Sequence, residues 1–505
     1  MLFNSYTYLL LFLPLVALGF HLLRGSKLRL SLAWLVLSSL FFYGWWNPEP
    51  TQPWSPKYVG MILGSCTFNY FLGRRLSALK FTPAGKTLLG LGIGANLATL
   101  GYFKYAGFLT GILHSMGSWQ GEALKVTLPL AISFFTFLQI AYLVDAWKGK
   151  TEEYHFTDYL LFVTFFPHLI AGPLIHHREM MPQFAKNRNR GLHSADISVG
   201  LTMLAMGLFK KVVLADNLAR TSTPIFELAA GDGRDPTSAE AWVAALAYTL
   251  QLYFDFSGYS DMALGSARIF GIRFPLNFHS PYKAVSIVDF WRRWHITLSR
   301  FLRDYLYIPL GGNRKGPVRR YMNLFLTMLL GGLWHGAGWT FIVWGALHGA
   351  LLCVNHAWFA FRKKMGIAAI PKPLAIGMTF FAVLIGWVFF KAKDFGAAHN
   401  MLWAMFGGHG WSGWPPDSMM LVKWQKALTP MAVGLGLALF FPNTQQFLKR
   451  WVPALNLGEF QDMKPGPRRW WHWRPTVPWA VFTLVLLYVV GRDFDKVSEF
   501  IYFQF

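Results

Sequence analysis

Val285–Trp344 reads VSIVDFWRRWHITLSRFLRDYLYIPLGGNRKGPVRRYMNLFLTMLLGGLWHGAGWTFIVW. It opens with a basic, aromatic helix, passes through a Gly/Arg/Lys turn and runs on into an apolar stretch. Two histidines, His295 and His335, lie in it 40 residues apart. The second sits in a Gly-rich break, Gly331-Gly332-Leu333-Trp334-His335-Gly336-Ala337-Gly338, where an apolar span ought to continue smoothly. Basic clusters flank this run, Arg314–Arg320 before it and Arg362–Lys364 after it. If both face the cytoplasm, Tyr321–Phe359 must go in and come back. At about 1.5 Å of rise per residue, each leg is long enough for roughly one bilayer. A titratable side chain has been placed at membrane depth.

The composition points the same way. Of 505 residues, 54% are hydrophobic and 14% charged, whereas soluble domains carry about 25% charged residues. Apolar runs of spanning length recur along the chain, which predicts an all-α polytopic membrane protein, a single domain over residues 1–505 with no soluble domain. An outer-membrane barrel would show alternating segments of about 10 residues instead. The net charge is +23, from 47 Lys and Arg against 24 Asp and Glu. These basic residues cluster in short loops between spans, the positive-inside pattern, so no nucleic-acid partner is expected. They also suit anionic lipid headgroups or a phosphorylated donor. Cys66 and Cys353 lie in apolar stretches and build neither a disulfide framework nor a metal site. The N-terminus has no basic n-region and no small-residue cleavage site, and reads as a first span.

Around the central stretch, spans are expected at Asn4–Leu23, Leu30–Trp46, Lys57–Leu72 and Val126–Val144. Others follow at Ser198–Leu214, Ala241–Phe254, Phe341–Phe359, Leu374–Phe390, Met431–Phe441 and Val477–Val490. Thr87–Leu113 is apolar but interrupted by Gly90, Gly92, Gly94, Gly101, Gly107 and Gly111, which predicts a tightly packed region. Phe156–Ile175, with Pro167, His168, Gly172 and Pro173, is too broken for a straight helix and belongs inside protein. Arg178–Arg190 reads as a cytoplasmic loop, Asn47–Ser55 as a Pro- and Trp-rich loop, and Lys391–Lys426 as a long external loop. The count is about 11 to 13 membrane segments. The Lys/Arg bias of the loops puts both termini outside.

His335 is the first candidate for chemistry. Burial disfavours the imidazolium, so a neutral ring able to accept a hydroxyl proton is expected. A histidine bonded to a neighbouring helix is the plainer alternative. His295 ends Asp289-Phe290-Trp291-Arg292-Arg293-Trp294-His295, a helix expected along the cytoplasmic interface with Phe290 and Trp294 together at i,i+4. Arg292 and Arg293 suit the phosphates of a nucleotide-containing donor, and interfacial anchoring on lipid headgroups is the simpler reading. Tyr253–Asp261, YFDFSGYSD, ends an apolar helix with Asp255 and Asp261. Structural pairing, with Arg268, Arg273 or the arginines above, is the favoured role for these carboxylates, and lining of a cavity the second. Their spacing is not diagnostic of a metal. His168, His176, His177, His279, His348 and His356 read as packing or capping residues.

At these motifs the chain resembles the membrane-bound O-acyltransferase superfamily, and most its bacterial alginate O-acetyltransferase branch. The resemblance is carried by Tyr253–Asp261 (YFDFSGYSD), Asp289–His295 (DFWRRWH), Phe301–Asn313 (FLRDYLYIPLGGN) and Gly331–Ala337 (GGLWHGA). Phe165–Ile175 (FFPHLIAGPLI), the N-terminal MLFNSYTYLLLFLP and the terminal Phe500–Phe505 (FIYFQF) fit as well, so nearly the whole chain is covered. The resemblance implies a multi-helix bundle with a central tunnel, His335 as a catalytic histidine and His295 as the second of the pair. Asp289, Arg292 and Arg293 would then face the donor, and Tyr253, Asp255, Asp261 and Trp334 line the tunnel. It also implies transfer of an acetyl group across a Gram-negative inner membrane from cytoplasmic acetyl-CoA, with no bound cofactor. A periplasmic SGNH-type acetylesterase-like partner would receive that group and serve an exported polysaccharide. A transporter of acyl donors or lipid-linked saccharides is the competing class, because broken helices and buried polar groups suit it too. A scaffold of a secretion complex is the third.

Overall fold

The computed structural model describes all residues except 25–27, 46–55, 119–120, 153, 187–192, 232, 412, 414–421, 465, 468, 495–499 and 502–505. The expected loop Asn47–Ser55 and the last four residues of the terminal motif thus lie outside the described residues. Among the described residues the elements are helices, with no strand. Ser194–Ala229, Trp339–Met365 and Lys372–Lys391 are each long and apolar enough to cross a membrane. Shorter apolar helices run over Thr7–Leu23, Arg29–Gly44, Ile132–Trp147 and Val477–Arg492.

The bundle is built around Ser238–Ile269, in which every residue from Ala247 to Ile269 is buried. A helix enclosed on all sides needs no polar face, and here even its carboxylates point into protein. Its start is fixed by a capping box, Thr237 accepting from the Glu240 amide while Glu240 reaches back. Arg234 pairs with the same Glu240 at 2.7 Å. The neighbouring Ser194–Leu208 helix approaches unusually closely because glycines face one another. A Cβ on Gly207 would lie 2.6 Å from the Gly258 carbonyl oxygen, and one on Gly265 equally close to that of Gly200. Membrane helices, which gain little hydrophobic energy from meeting, associate through such contacts.

Ser194–Leu208 then runs into a π-helical turn, Phe209–Ala215. The extra residue per turn rotates two consecutive lysines toward the central helix. Lys210 reaches Asp261 at 2.6 Å and Lys211 reaches Asp255 at 2.7 Å and Asp216 at 2.9 Å. The carboxylates of YFDFSGYSD are therefore paired, as expected for buried charge, but by lysines. Arg268 bonds Asp196 instead. The motif lies mid-helix and does not end one.

Other expectations shift for similar reasons. The Gly-rich stretch is one unbroken helix, Pro83–Ser115, since backbone bonds are retained where water cannot compete. Only some of its glycines are close-packed: Gly92 meets Leu72 and Gly107 the Leu124 carbonyl, while Gly90, Gly94 and Gly101 face open space. It is joined to its neighbours by an amide cluster in which Asn69 bonds Asn96 and Gln139 at 3.1 and 3.0 Å. Arg178–Arg190 overlaps a helix, His177–Lys186, and its residues 187–190 lie outside the described ones; Lys391–Lys426 contains another, Phe395–Met405. Phe156–Ile175 is broken as predicted, into helices Phe156–Thr164 and Phe166–Leu169, with buried His168 bonded to the Phe162 carbonyl.

Candidate active site

The Gly316–His335 helix ends on His335, and after an extended Gly336 the chain turns back into Trp339–Met365. Gly332 and Gly345 let the two legs touch: a Cβ on Gly345 would lie 2.5 Å from the Met328 carbonyl oxygen. The His335 side chain is buried, its ring 5.0 Å from Trp334, 5.1 Å from Trp344 and 5.3 Å from Phe390. Its backbone is held from outside the hairpin. Lys104 on the Gly-rich helix donates to the carbonyls of Trp334 and, at 3.1 Å, of His335. Tyr105 donates to the Leu333 carbonyl at 2.8 Å.

His295 does not sit on a continuous helix. It separates two short ones, Ile287–Arg293 and Ile296–Leu302, with a left-handed backbone of φ 43° and ψ 52°. This break turns the ring into the interior, 4.7 Å edge-on from Phe256 of the central helix, with Nδ1 3.2 Å from Asn277 Oδ1. Apart from exposed Arg292, the segment 287–302 is packed into the bundle. Trp294, stacked with Phe290 at 5.6 Å, lies 5.0 Å from Trp387 near the end of the Lys372–Lys391 helix. Trp387 stacks on Trp344 at 5.7 Å, and Trp344 meets His335. A continuous tryptophan cluster thus joins the two histidine segments.

A third histidine belongs to the same cluster. His348, one leg of the hairpin further on, is fully buried 4.9 Å from Trp344, so that one indole touches His335 and His348. Neither of its ring nitrogens has a hydrogen-bond partner among the described residues. It is therefore no capping residue. The sequence model of MBOAT, the membrane-bound O-acyltransferase family, matches residues 124–393, which hold all three histidines and this aromatic cluster. The chain belongs to the membrane-bound O-acyltransferase family. It is an O-acyltransferase.

Relatives of this O-acyltransferase extend over most or all of its length. It is 44% identical to a peptidoglycan O-acetyltransferase of Helicobacter pylori, across 81% of this chain and 80% of that one. It is 39% identical to a probable alginate O-acetylase of Pseudomonas putida over the full length of both. A teichoic acid D-alanyltransferase of Streptococcus thermophilus is 30% identical over 52% of this chain and 68% of its own.

The remaining sequence candidates fall in different places. Asp289 is bound to Arg293 at 2.9 Å and accepts from the Val285 amide at 3.1 Å, while Arg292 is exposed. Asp261 and Tyr253 line a small enclosed pocket with Ser260, Asn277 and Asn443, so this pocket shares Asn277 with His295. Asp255 lies in the lysine cluster, where it also accepts from the Ile501 amide at 3.3 Å. Trp334 stacks on Phe137 at 5.1 Å, directly beside His335. Lys104, Asn277, Trp344 and Trp387 were not singled out by the sequence, and His348 was read there as packing or capping. An isolated lysine inside an apolar, Gly-rich helix was the one signal available for Lys104.

Proposed function

We propose that this O-acyltransferase takes an acetyl group from cytoplasmic acetyl-CoA, delivers it across the inner membrane, and supplies a periplasmic SGNH-type partner that O-acetylates an exported or cell-wall polysaccharide. The observation that carries the reading is that relatives named for acetylating two different polymers, peptidoglycan and alginate, match this chain at 44% and 39% identity. Two polymers at such similar distance favour a chain that handles the acyl group and leaves the polymer to its partner. Both termini are then periplasmic, and the basic Arg314–Arg320 turn cytoplasmic. The D-alanyltransferase match covers only 52% of the chain, which favours acetyl as the group carried.

In this mechanism the donor enters beside exposed Arg292, whose guanidinium suits a phosphate. His335 accepts the proton of the acceptor hydroxyl as that oxygen attacks the thioester carbonyl. The C–S bond breaks, and the thiolate leaves and takes up the proton. His295, held through Nδ1 by Asn277, orients the donor. The tryptophan cluster, buried at Trp294, Trp344 and Trp387, shields the thioester from hydrolysis by bulk water.

The test uses the full chain in detergent with radiolabelled acetyl-CoA and a soluble hydroxyl acceptor. Transfer lost in His335→Ala at unchanged protein abundance supports the assignment, and full activity in that variant would sink it. With the same chain reconstituted into vesicles, entry of label without thioester cleavage would mean a transporter. A trapped acetyl-protein sensitive to hydroxylamine would replace general-base catalysis with an acyl-histidine route.

A further inference from the structure

Away from the histidine hairpin, four ligand-type side chains converge at the end of the Ile132–Trp147 helix. Asp145 Oδ2 lies 2.9 Å from His176 Nε2, 3.1 Å from His177 Nε2 and 3.0 Å from the Tyr305 hydroxyl. That hydroxyl is also 2.8 Å from His176 Nε2. The ligand atoms of Asp145, His176 and His177 all fall within 4.8 Å of one another. Asp145 and His177 are buried, whereas the His176 side chain is 24% exposed and offers a route in from solvent.

Hydrogen bonding alone crowds this arrangement. Two imidazole N–H groups and a phenol would all donate to one carboxylate oxygen. The His176 nitrogen and the Tyr305 hydroxyl, already committed to that oxygen, would face each other as well. A cation accepts lone pairs from all of them at once. Ligands about 2.1 Å from a tetrahedral zinc ion stand roughly 3.4 Å apart, so these four separations need open by roughly 0.3–0.6 Å. Two imidazoles and a carboxylate form a borderline donor set, matched to zinc and its first-row neighbours rather than to calcium or magnesium.

We propose that Asp145, His176 and His177, with Tyr305 as fourth partner, bind a divalent transition-metal ion of which zinc is the best fit. The site is structural. It clamps the Ile132–Trp147 helix and the Gly172–His176 loop to the segment that follows His295. The same loop is already tied there, the Leu174 amide donating to Thr297 Oγ1 and Thr297 to Asn277 Oδ1, each at 2.9 Å. Tyr305 carries the clamp toward the active site. Its ring is 5.1 Å from Phe301, which stacks on Phe137 at 4.2 Å, and Phe137 stacks on Trp334. This inference does not depend on which acyl group or acceptor the enzyme uses.

The experiment is metal analysis of the full chain, purified through a tag without histidines, equilibrated with zinc and separated from free ion by gel filtration. The expected result is one zinc per chain. Binding should weaken in Asp145→Asn and His177→Gln by more than the tenfold to hundredfold typical of losing an outer-shell partner, and stay unchanged in the surface variant His409→Gln. Equal zinc in the wild type and both ligand variants overturns the proposal, as does none in the wild type. If the ligand variants do not fold, cobalt(II) added to the wild type decides. Intense visible d–d bands of a four-coordinate N/O site support the proposal, and a spectrum no different from aqueous cobalt rules it out.

Discussion

Lys104 Nζ lies 3.1 Å from the carbonyl oxygen of His335, a contact between residues 231 apart in the chain. The last carbonyls of a helix have no intrahelical partner and carry its partial negative charge, so a cation there both satisfies and stabilises them. The ammonium also sits 5.7 Å from the Trp334 ring. Lys104 thus fixes the backbone that carries His335, which under the proposed mechanism makes it a positioning residue. In Lys104→Met, acyl transfer should fall by about tenfold to a hundredfold, the range that a small misplacement of a reacting group produces. The loss should fall on kcat with KM nearly unchanged, and Lys104→Arg should recover part of it. An unchanged kcat in Lys104→Met would remove this positioning role.

His295 combines two properties that substitution separates. Its φ of 43° is a left-handed backbone, which Asn tolerates better than most residues and β-branched residues avoid. His295→Asn should keep the turn and lose the imidazole, giving a folded protein with reduced transfer. His295→Val should strain the turn as well and lower thermal stability by about 1–2 kcal/mol relative to the Asn variant. Melting temperatures and initial rates of the two proteins, measured side by side, check both halves.

Much of this was legible in the sequence, for a physical reason. A bilayer imposes length and apolarity on each crossing, so spans such as Leu30–Trp46 and Leu374–Phe390 fall within a few residues of the observed helices Leu28–Gly44 and Lys372–Lys391. His335 stood out because a titratable group at that depth needs a reason. What escaped depends on contacts between distant segments. YFDFSGYSD read as a helix end because hydropathy drops at its carboxylates, yet Lys210 and Lys211 neutralise them inside the bundle. The glycines of Pro83–Ser115 read as breaks by rules that hold in water. His348 and the Asp145, His176 and His177 cluster carry no local pattern, since their partners come from other helices.

The lysine turn makes a stability prediction. Lys211 is buried between Asp255 and Asp216, so its removal leaves two carboxylates inside protein without their cation. Breaking a buried pair in this way costs about 3–5 kcal/mol. Lys211→Met should therefore be strongly destabilised, whereas Asp255→Asn, which leaves Lys211 paired with Asp216, should lose less. Adding Asp255→Asn to Lys211→Met should restore part of the loss, because one orphaned charge disappears. Thermal unfolding of the four proteins in one detergent measures this coupling; strictly additive effects would mean that Lys211 and Asp255 act independently.

The facing glycines give the sharpest contrast within one molecule. A Cβ on Gly258 would lie 2.8 Å from the Gly207 carbonyl oxygen, a backbone atom that cannot rotate away. Gly258→Ala must push the Ser194–Leu208 helix off the central helix, and overpacking of this kind typically costs about 1–3 kcal/mol. The shift should also be felt at the active site, because Phe256, two residues earlier, packs on His295 at 4.7 Å. Gly94, by contrast, has no atom within 4 Å of where its Cβ would stand. There the only change is intrinsic propensity, so Gly94→Ala should be neutral or more stable by up to about 1 kcal/mol. A melting temperature lowered in Gly258→Ala and held or raised in Gly94→Ala is the expected pair of results. If both variants melt with the wild type, close glycine contact is not what holds the central helix in place.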